Sequence, residues 1–528
     1  MASLVQPWLN AATAPLRFIM NPADRAQVSL RMRQMRAEMS SRKPAPNLLT
    51  NGDEQRFPNR AACFTKGLPH SQSGDVNLQS YEMLLAALNS NRAADFDKIP
   101  RGSGRRLVNP QAGNAFSLTG EDPQSFNCPP PPALGSVEMA AEMVELYWHA
   151  LCRDIPFSSY ATSELVSRAC EELSKMPGYQ GPRVNGRVTP AVIFRGPAGS
   201  VQGPFVSQFL YKPVPLNSGL TQQLYTVPAG GVEFMTNLSE FQQILDGVPP
   251  WRTYFFDDSR RYLRNGRDLA EYVHYDYLVQ PFINAAVMLA EYGPEFVFNS
   301  INMNLAESNP YKHLKNQVGF VTFGLVTVLD WLGRATSTAL KAGWAYKWYV
   351  HRRLRPEQAG GRVHNTLALG APAMVHESLL GSAAVRETFQ RFGAYLLPQA
   401  YPEGSPLHPA FPSGHAVVAG ACATVMKAFY AEDTLIADSV LPNAAGTALE
   451  PCEDVLNVGN EIDKLAWNVS VGRDFAGIHY RSDLTAGIAL GEQVALSVMR
   501  DLAYELPEDF APLSIRLFDG TYAIISRE

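Results

Sequence analysis

The sequence predicts an all-α protein built of helix bundles with minor β-hairpins. Apolar residues recur at helical spacing through most of the chain after residue 135. Runs that read as strands are short and confined to residues 190–235 and the C-terminus. No repeat of a fixed short period is visible, and eight or more helices joined by loops are typical of a bundle architecture.

The chain divides into an irregular N-terminal arm, residues 1–130, and a helical body, residues 135–528, which together form one unit. The arm is rich in Pro, Asn, Gly and Arg, and Pro129–Pro132 form a stiff spacer before the body. The segment 340–490 carries the candidate active site. Helices are predicted at 24–39, 78–92, 136–153, 162–175, 267–291, 295–302, 318–332, 337–350, 378–392, 414–430, 460–473 and 482–502. Strands are predicted at 191–194 and 209–211, and a hairpin at 514–526 around the turn dipeptide Asp519-Gly520.

Charge and composition exclude several classes of protein. The hydrophobic fraction of 46% and the charged fraction of 18% are those of a folded soluble chain. The net charge of -5 provides no basic field that would attract nucleic acid. No apolar run reaches the roughly 20 residues of a membrane span, and the N-terminus lacks the pattern of a signal peptide. The six cysteines show no metal-binding spacing, which predicts mostly free, buried thiols, with one or two disulfides still open. The compartment stays undetermined.

Lys347 and Arg355 form the first motif that carries chemistry. They are eight residues apart, which on a helix places them about 80° apart and two turns along. A guanidinium grips oxyanions in a bidentate fork, and an ammonium adds a compact charge. A basic, solvated helix end is the alternative interpretation, because three further basic residues lie between them at positions 351–353.

The second motif is Pro412-Ser413-Gly414-His415, directly before a long apolar run. Serine at this position favours the start of a helix, and a helix N-terminus presents free N–H groups to an anion. Gly414 allows the backbone to approach a ligand closely. An ordinary capped helix with an incidental histidine remains the alternative.

Arg473 and His479 form the third motif, with glycines at 472 and 477 that let a helix end and the chain turn. A histidine placed in this way can offer a ring nitrogen to an electrophile or a metal, although a core histidine is the alternative. The three motifs together supply three cations, a serine, a helix N-terminus and two histidines. We know of no structural reason for that combination, which indicates an oxyanion site.

These motifs resemble those of the vanadium-dependent haloperoxidases, whose site is shared with type 2 phosphatidic acid phosphatases and bacterial class A acid phosphatases. The closer resemblance is to bromoperoxidases of red algae and cyanobacteria. It rests on residues 347–357, 396–415 and 460–481, and on upstream segments near 51, 203 and 258, so that it covers most of the chain. It implies an all-α fold with two four-helix bundles.

The resemblance also implies a role for each residue. His479 would bond the vanadium of a vanadate cofactor, while Lys347, Arg355, Arg473, Ser413 and the Gly414 amide would hold its oxygens. His415 would hydrogen-bond the axial oxygen and move protons. His408 matches a histidine of the bromoperoxidases and would tune protonation or halide placement, with a plain loop histidine as the alternative. Trp344 is a further candidate for the halide side, and a core aromatic is its alternative.

The implied activity is oxidation of bromide or iodide by hydrogen peroxide to a hypohalous-acid equivalent that halogenates small organic acceptors. The resemblance further implies homodimers that assemble up to dodecamers, and it leaves any structural calcium open. Two alternatives remain at this point. The same pocket could hydrolyse phosphate monoesters with His479 as nucleophile, or the chain could be a non-catalytic oxyanion-binding or assembly protein.

Overall fold

The computed structural model describes residues 21–291 and 304–527. Helices account for most of the regular structure, in agreement with the predicted fold class. In chain order they are α1 (Pro22–Ser41), α2 (Asp53–Arg56), α3 (Leu78–Ser90), α4 (Ala93–Phe96), α5 (Val137–Cys152), α6 (Glu164–Lys175), α7 (Leu238–Leu245), α8 (Gly266–Tyr272), α9 (Gln280–Glu291), α10 (Leu325–Ala345), α11 (Pro356–Leu369), α12 (Glu377–Leu380), α13 (Ala383–Phe392), α14 (Gly414–Phe429), α15 (Val458–Phe475) and α16 (Arg481–Leu502).

The strands of the described chain form three two-stranded antiparallel hairpins. They are β1 (Val214–Leu216) with β2 (Gly219–Thr221), β3 (Val440–Pro442) with β4 (Leu449–Pro451), and β5 (Leu513–Arg516) with β6 (Tyr522–Ile525). The last pair is the predicted C-terminal hairpin. The strands predicted at 191–194 and 209–211 are wrong: the first is a turn, and the second lies in the 3₁₀ helix Gln208–Leu210. Short buried apolar runs do not separate strand from helical turn by their pattern alone.

Two other predicted boundaries changed in the structure. The helix predicted at 267–291 is interrupted between α8 and α9, where residues 273–279 form a loop. The helices predicted at 318–332 and 337–350 are instead α10 and a π-helical continuation, Tyr346–His351. Residues 318–324 precede α10 and are not helical. The helix predicted at 295–302 lies outside the described residues.

Helix α14 is the centre of the body, and every one of its residues is buried. It packs against α10, α15 and α16. Glycines allow α14 and α16 to approach closely, because a Cβ at Gly420 would lie 2.2 Å from the Ile488 carbonyl oxygen. A Cβ at Gly491 would lie 2.0 Å from the Val417 carbonyl oxygen. This close packing brings the first turns of α14 and α16 together, and the three motifs meet there.

The structure separates into two compact units, residues 1–45 and 46–528. In the first unit, α1 has no buried residue, and its N-cap residue is Asn21, whose side chain accepts a hydrogen bond from the Ala23 amide at 2.9 Å. The second unit holds all the helices and hairpins of the body. All six cysteines are free. Among the described helices, none combines the length and the apolar character that crossing a bilayer requires.

Candidate active site

The structure brings all eight predicted site residues into one buried cluster at the ends of helices. They are Lys347, Arg355, His408, Ser413, Gly414, His415, Arg473 and His479, and each is buried. Lys347 lies in the π-helical segment after α10, and Arg355 directly precedes α11. Arg473 is in the last turn of α15, and His479 precedes α16. Residues up to 132 positions apart in sequence therefore contribute to one site.

Lys347 is held by two backbone carbonyls. Its Nζ donates to the carbonyl oxygens of Pro409 at 2.9 Å and Ala410 at 2.8 Å. An ammonium has three N–H groups, so one remains for a ligand. Burial, followed by repulsion from Arg355, holds the pKa of Lys347 well below its usual value. An anion bound beside Lys347 would raise this pKa again, because a negative charge favours the protonated amine.

Arg355 connects the three motifs. Its Nε donates to the His408 carbonyl at 2.9 Å, and one Nη donates to the Ile478 carbonyl at 2.8 Å. The same Nη lies 3.0 Å from His479 Nε2, and the other Nη lies 3.0 Å from His408 Nδ1. Burial lowers the pKa of Arg355 to about 9. The guanidinium is therefore fixed in place before any ligand binds.

The cationic side chains in this region differ in whether a carboxylate pairs with them, and this separates structural cations from those available to a ligand. Arg353 is paired with two buried carboxylates, Glu142 at 2.9 Å and Asp483 at 2.7 Å. Lys347, Arg355 and Arg473 form no ion pair with a carboxylate in residues 21–291 and 304–527. Buried charges are normally paired. Three buried cations without carboxylates indicate a site that takes an external anion.

Ser413 and Gly414 place the N-terminus of α14 at the site. Ser413 is the N-cap residue, but its hydroxyl forms no cap hydrogen bond, and its buried Oγ has no partner among the described residues. The Ser413 amide donates to the Asp483 carbonyl at 2.9 Å. A Cβ at Gly414 would lie 3.2 Å from the Trp344 ring, so a larger residue would require that ring to shift by a few tenths of an ångström. The free hydroxyl and the first N–H groups of α14 can therefore donate to an anion.

His479 is oriented by Asp483. Its Nδ1 lies 2.8 Å from Asp483 Oδ2, so Nδ1–H donates to the carboxylate. This leaves the lone pair on Nε2, where it accepts a hydrogen bond from an Arg355 Nη at 3.0 Å, since a guanidinium can only donate. Burial, followed by repulsion from Arg355, holds the pKa of His479 well below its usual value. A neutral imidazole with one nitrogen anchored by a carboxylate is the usual arrangement of a metal-binding histidine.

His415 and Arg473 meet at the Val273 carbonyl. Arg473 donates to that oxygen at 2.7 Å, and the His415 ring also hydrogen-bonds it. His415 Nε2 and Arg473 Nε are buried without hydrogen-bond partners among the described residues. His415 Nε2 lies 3.9 Å from the carboxylate of Asp276, which is exposed. Burial, followed by repulsion from Arg473, lowers the pKa of His415, so the ring is neutral and can accept a proton.

The rings of His408 and Trp344 lie side by side next to Lys347 at the edge of the cluster. Their ring centroids are 5.0 Å apart, and the Lys347 Nζ lies 5.7 Å from the centre of the Trp344 ring. Burial, followed by repulsion from Lys347, lowers the pKa of His408. Trp344 therefore lies at the site beside two cluster residues, which the sequence alone left open between a site residue and a core aromatic.

Sequence reasoning missed Asp483. The signal was present, because Asp483 follows His479 by four residues, the spacing that places two side chains on one face of a helix. Its carboxylate accepts from His479, from the Tyr480 amide at 3.2 Å and from Arg353. Asp483 thus fixes the orientation and the tautomer of the His479 ring.

We expect Asp483→Asn to weaken vanadate binding about 10- to 100-fold, because the amide no longer fixes the ring and its tautomer. Equilibrium binding of orthovanadate to the purified protein measures the effect. Glu142→Gln is the matched control, since it removes the other carboxylate partner of Arg353 and leaves His479 untouched. Equal losses in both variants would attribute the effect to Arg353 and contradict the positioning role.

A second group missed from the sequence lies behind Arg473. His274 stacks on Tyr401 with ring centroids 3.8 Å apart, and the Arg473 guanidinium lies 5.5 Å from the Tyr401 ring centre. The His274 ring hydrogen-bonds two carboxylates: Nδ1 lies 3.2 Å from Glu271 Oε2, and Nε2 lies 2.7 Å from Glu403 Oε1. Burial disfavours its charge, but the bonds to both carboxylates prevail and raise the pKa of His274 to about 9. His274 is therefore an imidazolium at neutral pH.

The raised pKa of His274 predicts a pH dependence of stability. The folded state binds this proton more tightly than the unfolded state, so the contribution is complete below the ordinary pKa of 6.5 and is lost as pH rises through about 9. We expect the free energy of unfolding, relative to that of His274→Gln, to fall by on the order of 3 kcal/mol across this window. Denaturant unfolding of both proteins below pH 6.5 and above pH 9 measures it. A difference that stays constant with pH would contradict the assigned charge.

Unpaired buried cations and two histidines at the helix ends of an all-α body define an enzyme that handles a tetrahedral oxyanion. Residues 330–505 match the family model described as VCPO second helical-bundle domain. The vanadium-dependent bromoperoxidase of Ascophyllum nodosum is 34% identical over 497 residues, covering 88% of this chain and 88% of that protein. The chain belongs to the vanadium-dependent haloperoxidases, which confirms the predicted family and its enzymatic class.

Two further comparisons agree with this assignment. The vanadium-dependent bromoperoxidase of Corallina officinalis is 31% identical over 599 residues, covering 95% of this chain and 99% of that protein. The solved structure of the second vanadate-dependent bromoperoxidase of Ascophyllum nodosum, a homohexamer, superposes with a TM-score of 0.90 at 28% identity. That match covers 98% of this chain and 95% of the solved chain, and it confirms the all-α fold.

The residues present fit the vanadate that the family implies. Ser413 Oγ, Arg473 Nε and His415 Nε2 are buried without partners among the described residues. Leaving such a group unsatisfied costs about 1–3 kcal/mol. The oxygens of an oxyanion would accept from Ser413 Oγ and Arg473 Nε, a protonated oxygen of the same group would donate to Nε2 of the neutral His415 ring, and the three cations without carboxylate partners match its charge. The His479 Nε2 lone pair provides the ligand atom for a metal.

Proposed function

We propose that this protein oxidises bromide or iodide with hydrogen peroxide at the site described above. One halide, one hydrogen peroxide and one proton give one hypohalous acid and one water, and the acid halogenates small organic acceptors. Vanadate, when bound, supplies a Lewis-acidic vanadium(V) centre that activates hydrogen peroxide without changing its own oxidation state. The observation that carries the proposal is the set of three buried cations around His479 that form no ion pair with any carboxylate in the part of the chain that the structure describes.

In this proposal each residue has a role that its surroundings support. Lys347, Arg355 and Arg473 neutralise the oxyanion, and Ser413 and the Gly414 amide donate hydrogen bonds to it. His479 bonds the vanadium through Nε2, with Asp483 anchoring Nδ1. His415, neutral and without a partner at Nε2, accepts a proton from hydrogen peroxide and releases it to the developing hypohalous acid. His408, held by Arg355 and packed at a tilt against the Trp344 ring, tunes protonation or halide placement.

A paired assay tests the proposal. The protein is incubated with orthovanadate, hydrogen peroxide and bromide while bromination of a dye is followed, and phosphate release from an aromatic phosphate ester is measured in parallel. We expect vanadate-dependent bromination. Ester hydrolysis without bromination would favour a phosphatase, and a folded sample with neither activity would favour a non-catalytic oxyanion-binding protein.

We further propose that the chain acts as a homo-oligomer. The solved bromoperoxidase that it resembles in structure is a homohexamer. Within the first unit, α1 buries none of its residues, which suits an arm that contacts a neighbouring copy. Light scattering should give a multiple of 58.0 kDa, with a dimer to a dodecamer as the expected range. A monomeric mass would contradict the proposal.

A further inference from the structure

A cavity of about 520 Å³ lies between the β3–β4 hairpin and the loops at residues 157–161 and 190–205. None of the eight cluster residues is among the described residues that line it. Its volume falls within the roughly 300–1,000 Å³ that is typical of ligand pockets. The proposed halide oxidation makes no use of this cavity, which is therefore a candidate for a second ligand site.

The walls of this cavity are mainly aromatic and apolar. The rings of Phe157 and Phe205 stack on each other, with centroids 4.1 Å apart and planes 10° apart. The Tyr160 ring meets Phe157 edge to face, with centroids 5.4 Å apart. Proline and leucine side chains supply further apolar surface: Pro190, Pro204, Leu441, Pro442 and Pro451. Packed aromatic rings form a rigid, flat surface, so these walls favour a ligand with a flat apolar body.

Arg195 lines the cavity as a buried cation. It is 8% exposed, and its guanidinium carbon lies 5.2 Å from the centre of the Phe205 ring. Its Nη atoms donate to the backbone carbonyls of Ser200 at 3.0 Å, Gly203 at 2.7 Å and Pro204 at 3.3 Å. No carboxylate in residues 21–291 and 304–527 lies at ion-pair distance from it. A guanidinium has five N–H groups, so these three bonds leave the Nε–H and one Nη–H for a ligand.

The second cation that lines the cavity differs in this respect. Arg264 pairs with Asp268 at 3.1 Å and donates to the Ala445 carbonyl at 3.2 Å. Burial lowers the pKa of Arg195 to about 10, so its guanidinium is still charged at neutral pH. Buried charges are normally paired. Arg195 therefore shares the property that marks the cations of the anion site, since its charge is available to an external anion.

Tyr160 adds an unused hydrogen-bond donor near Arg195. Tyr160 is 4% exposed, and its buried hydroxyl has no partner in the part of the chain that the structure describes. Burial raises the pKa of Tyr160 and the charge of Arg195 opposes the rise, so the two side chains lie close together. Glu453 and Asp454, which are exposed, also line the cavity and would repel a second negative charge. These surroundings favour a ligand that carries a single negative charge.

We propose that this cavity is a second ligand site that binds an aromatic monocarboxylate, with the carboxylate on Arg195 and the ring against Phe157 and Phe205. The free N–H groups of Arg195 are on adjacent nitrogens, and a carboxylate can accept from such a pair with both of its oxygens. The ring of the ligand covers the aromatic wall. Binding at this site requires neither vanadate nor halide and is independent of the proposed halide oxidation.

A direct binding measurement separates the effect of charge from that of shape. Calorimetry compares 2-naphthoate with 2-naphthamide, which has nearly the same shape and no charge. The protein is first incubated with orthovanadate, so that the anion site is occupied. We expect saturable binding of 2-naphthoate, about tenfold tighter than that of 2-naphthamide, the equivalent of one charge-assisted hydrogen bond. No binding of 2-naphthoate, or equal binding of the two compounds, would overturn the proposal.

Variants locate the binding. Arg195→Gln removes the charge and should bring the affinity for 2-naphthoate down to that for 2-naphthamide. Ala191→Trp fills the cavity from an exposed position and should abolish the binding of both compounds, which provides the test if Arg195→Gln fails to fold. Ala198→Trp is the matched control, because Ala198 is an exposed residue of the same loop that does not line the cavity. A preference for 2-naphthoate retained in folded Arg195→Gln, or undiminished binding in Ala191→Trp, would overturn the proposed location.

Vanadate binding by Ala191→Trp tests whether the two sites are separate. We expect this variant to bind orthovanadate with the affinity of the unaltered protein, because residue 191 does not belong to the cluster around His479. Equilibrium dialysis measures that affinity in the variant and in Ala198→Trp. A loss of vanadate binding together with the loss of 2-naphthoate binding in folded Ala191→Trp would contradict a second site.

Discussion

Replacement of His479 by alanine is expected to reduce vanadate affinity by more than about 100-fold and to abolish vanadate-dependent bromination. Nε2 of His479 is the nitrogen whose lone pair is directed into the cluster, because Asp483 accepts from Nδ1. Without it, only hydrogen bonds and charge would hold the oxyanion, and loss of an orienting partner alone already costs about 10- to 100-fold in metal sites. Equilibrium dialysis with orthovanadate and the dye-bromination assay measure the two effects.

The control for this variant is His313→Ala, which removes a histidine whose side chain is 73% exposed. Thermal unfolding shows whether both variants retain the fold. Unchanged bromination in a folded His479→Ala variant would contradict the role assigned to His479, whatever the control shows.

Lys347→Met is expected to weaken vanadate binding at neutral pH by about 10- to 100-fold, the equivalent of one charge-assisted hydrogen bond of about 1.5–3 kcal/mol. The substitution keeps the length of the side chain and removes its charge. Burial and repulsion from Arg355 hold the pKa of Lys347 well below its usual value in the free site, and a bound anion would raise it, so anion binding and protonation of this amine favour each other. Vanadate affinity should therefore fall as pH rises, and less steeply in the variant.

Vanadate titrations of both proteins over a range of pH measure the affinity and its slope. Lys341→Met is the matched control in the preceding helix α10, because its amine donates to the Phe116 carbonyl in an exposed setting. An affinity equal to that of the unaltered protein would remove Lys347 from the anion site. If the variant binds vanadate more weakly but its affinity depends on pH as steeply as that of the unaltered protein, the proton is taken up by another group.

The local sequence pattern was sufficient to predict those elements of the fold that depend on residues adjacent in sequence. Ser413 ahead of an apolar run predicted the start of α14, and Asp519-Gly520 predicted the C-terminal hairpin. The break between α8 and α9 was missed because apolar spacing continues through residues 273–279. The non-helical stretch before α10 was missed as well, although Gly319 and Gly324 lie within it.

Ion pairs between residues far apart in sequence could not be predicted from the local sequence pattern. Arg353 and Arg355 are two residues apart and of the same type, yet the first forms ion pairs with Glu142 and Asp483, while the second has no carboxylate at ion-pair distance within residues 21–291 and 304–527. Glu142 is 211 residues from Arg353, and nothing in the local sequence connects the two. The choice between a structural and a functional arginine therefore depended on packing.

The sequence by itself determined the family, the helical class and the identities of the residues that gather at the site, because these follow from residue type, order and spacing. The tertiary structure alone decided which cations lack partners, that Asp483 orients His479, and that Arg195 lines an aromatic cavity. The physical reason is that burial and charge pairing arise when helices from distant parts of the chain pack together. Residue type supplies a charge, but only its surroundings decide whether that charge is satisfied or available to a ligand.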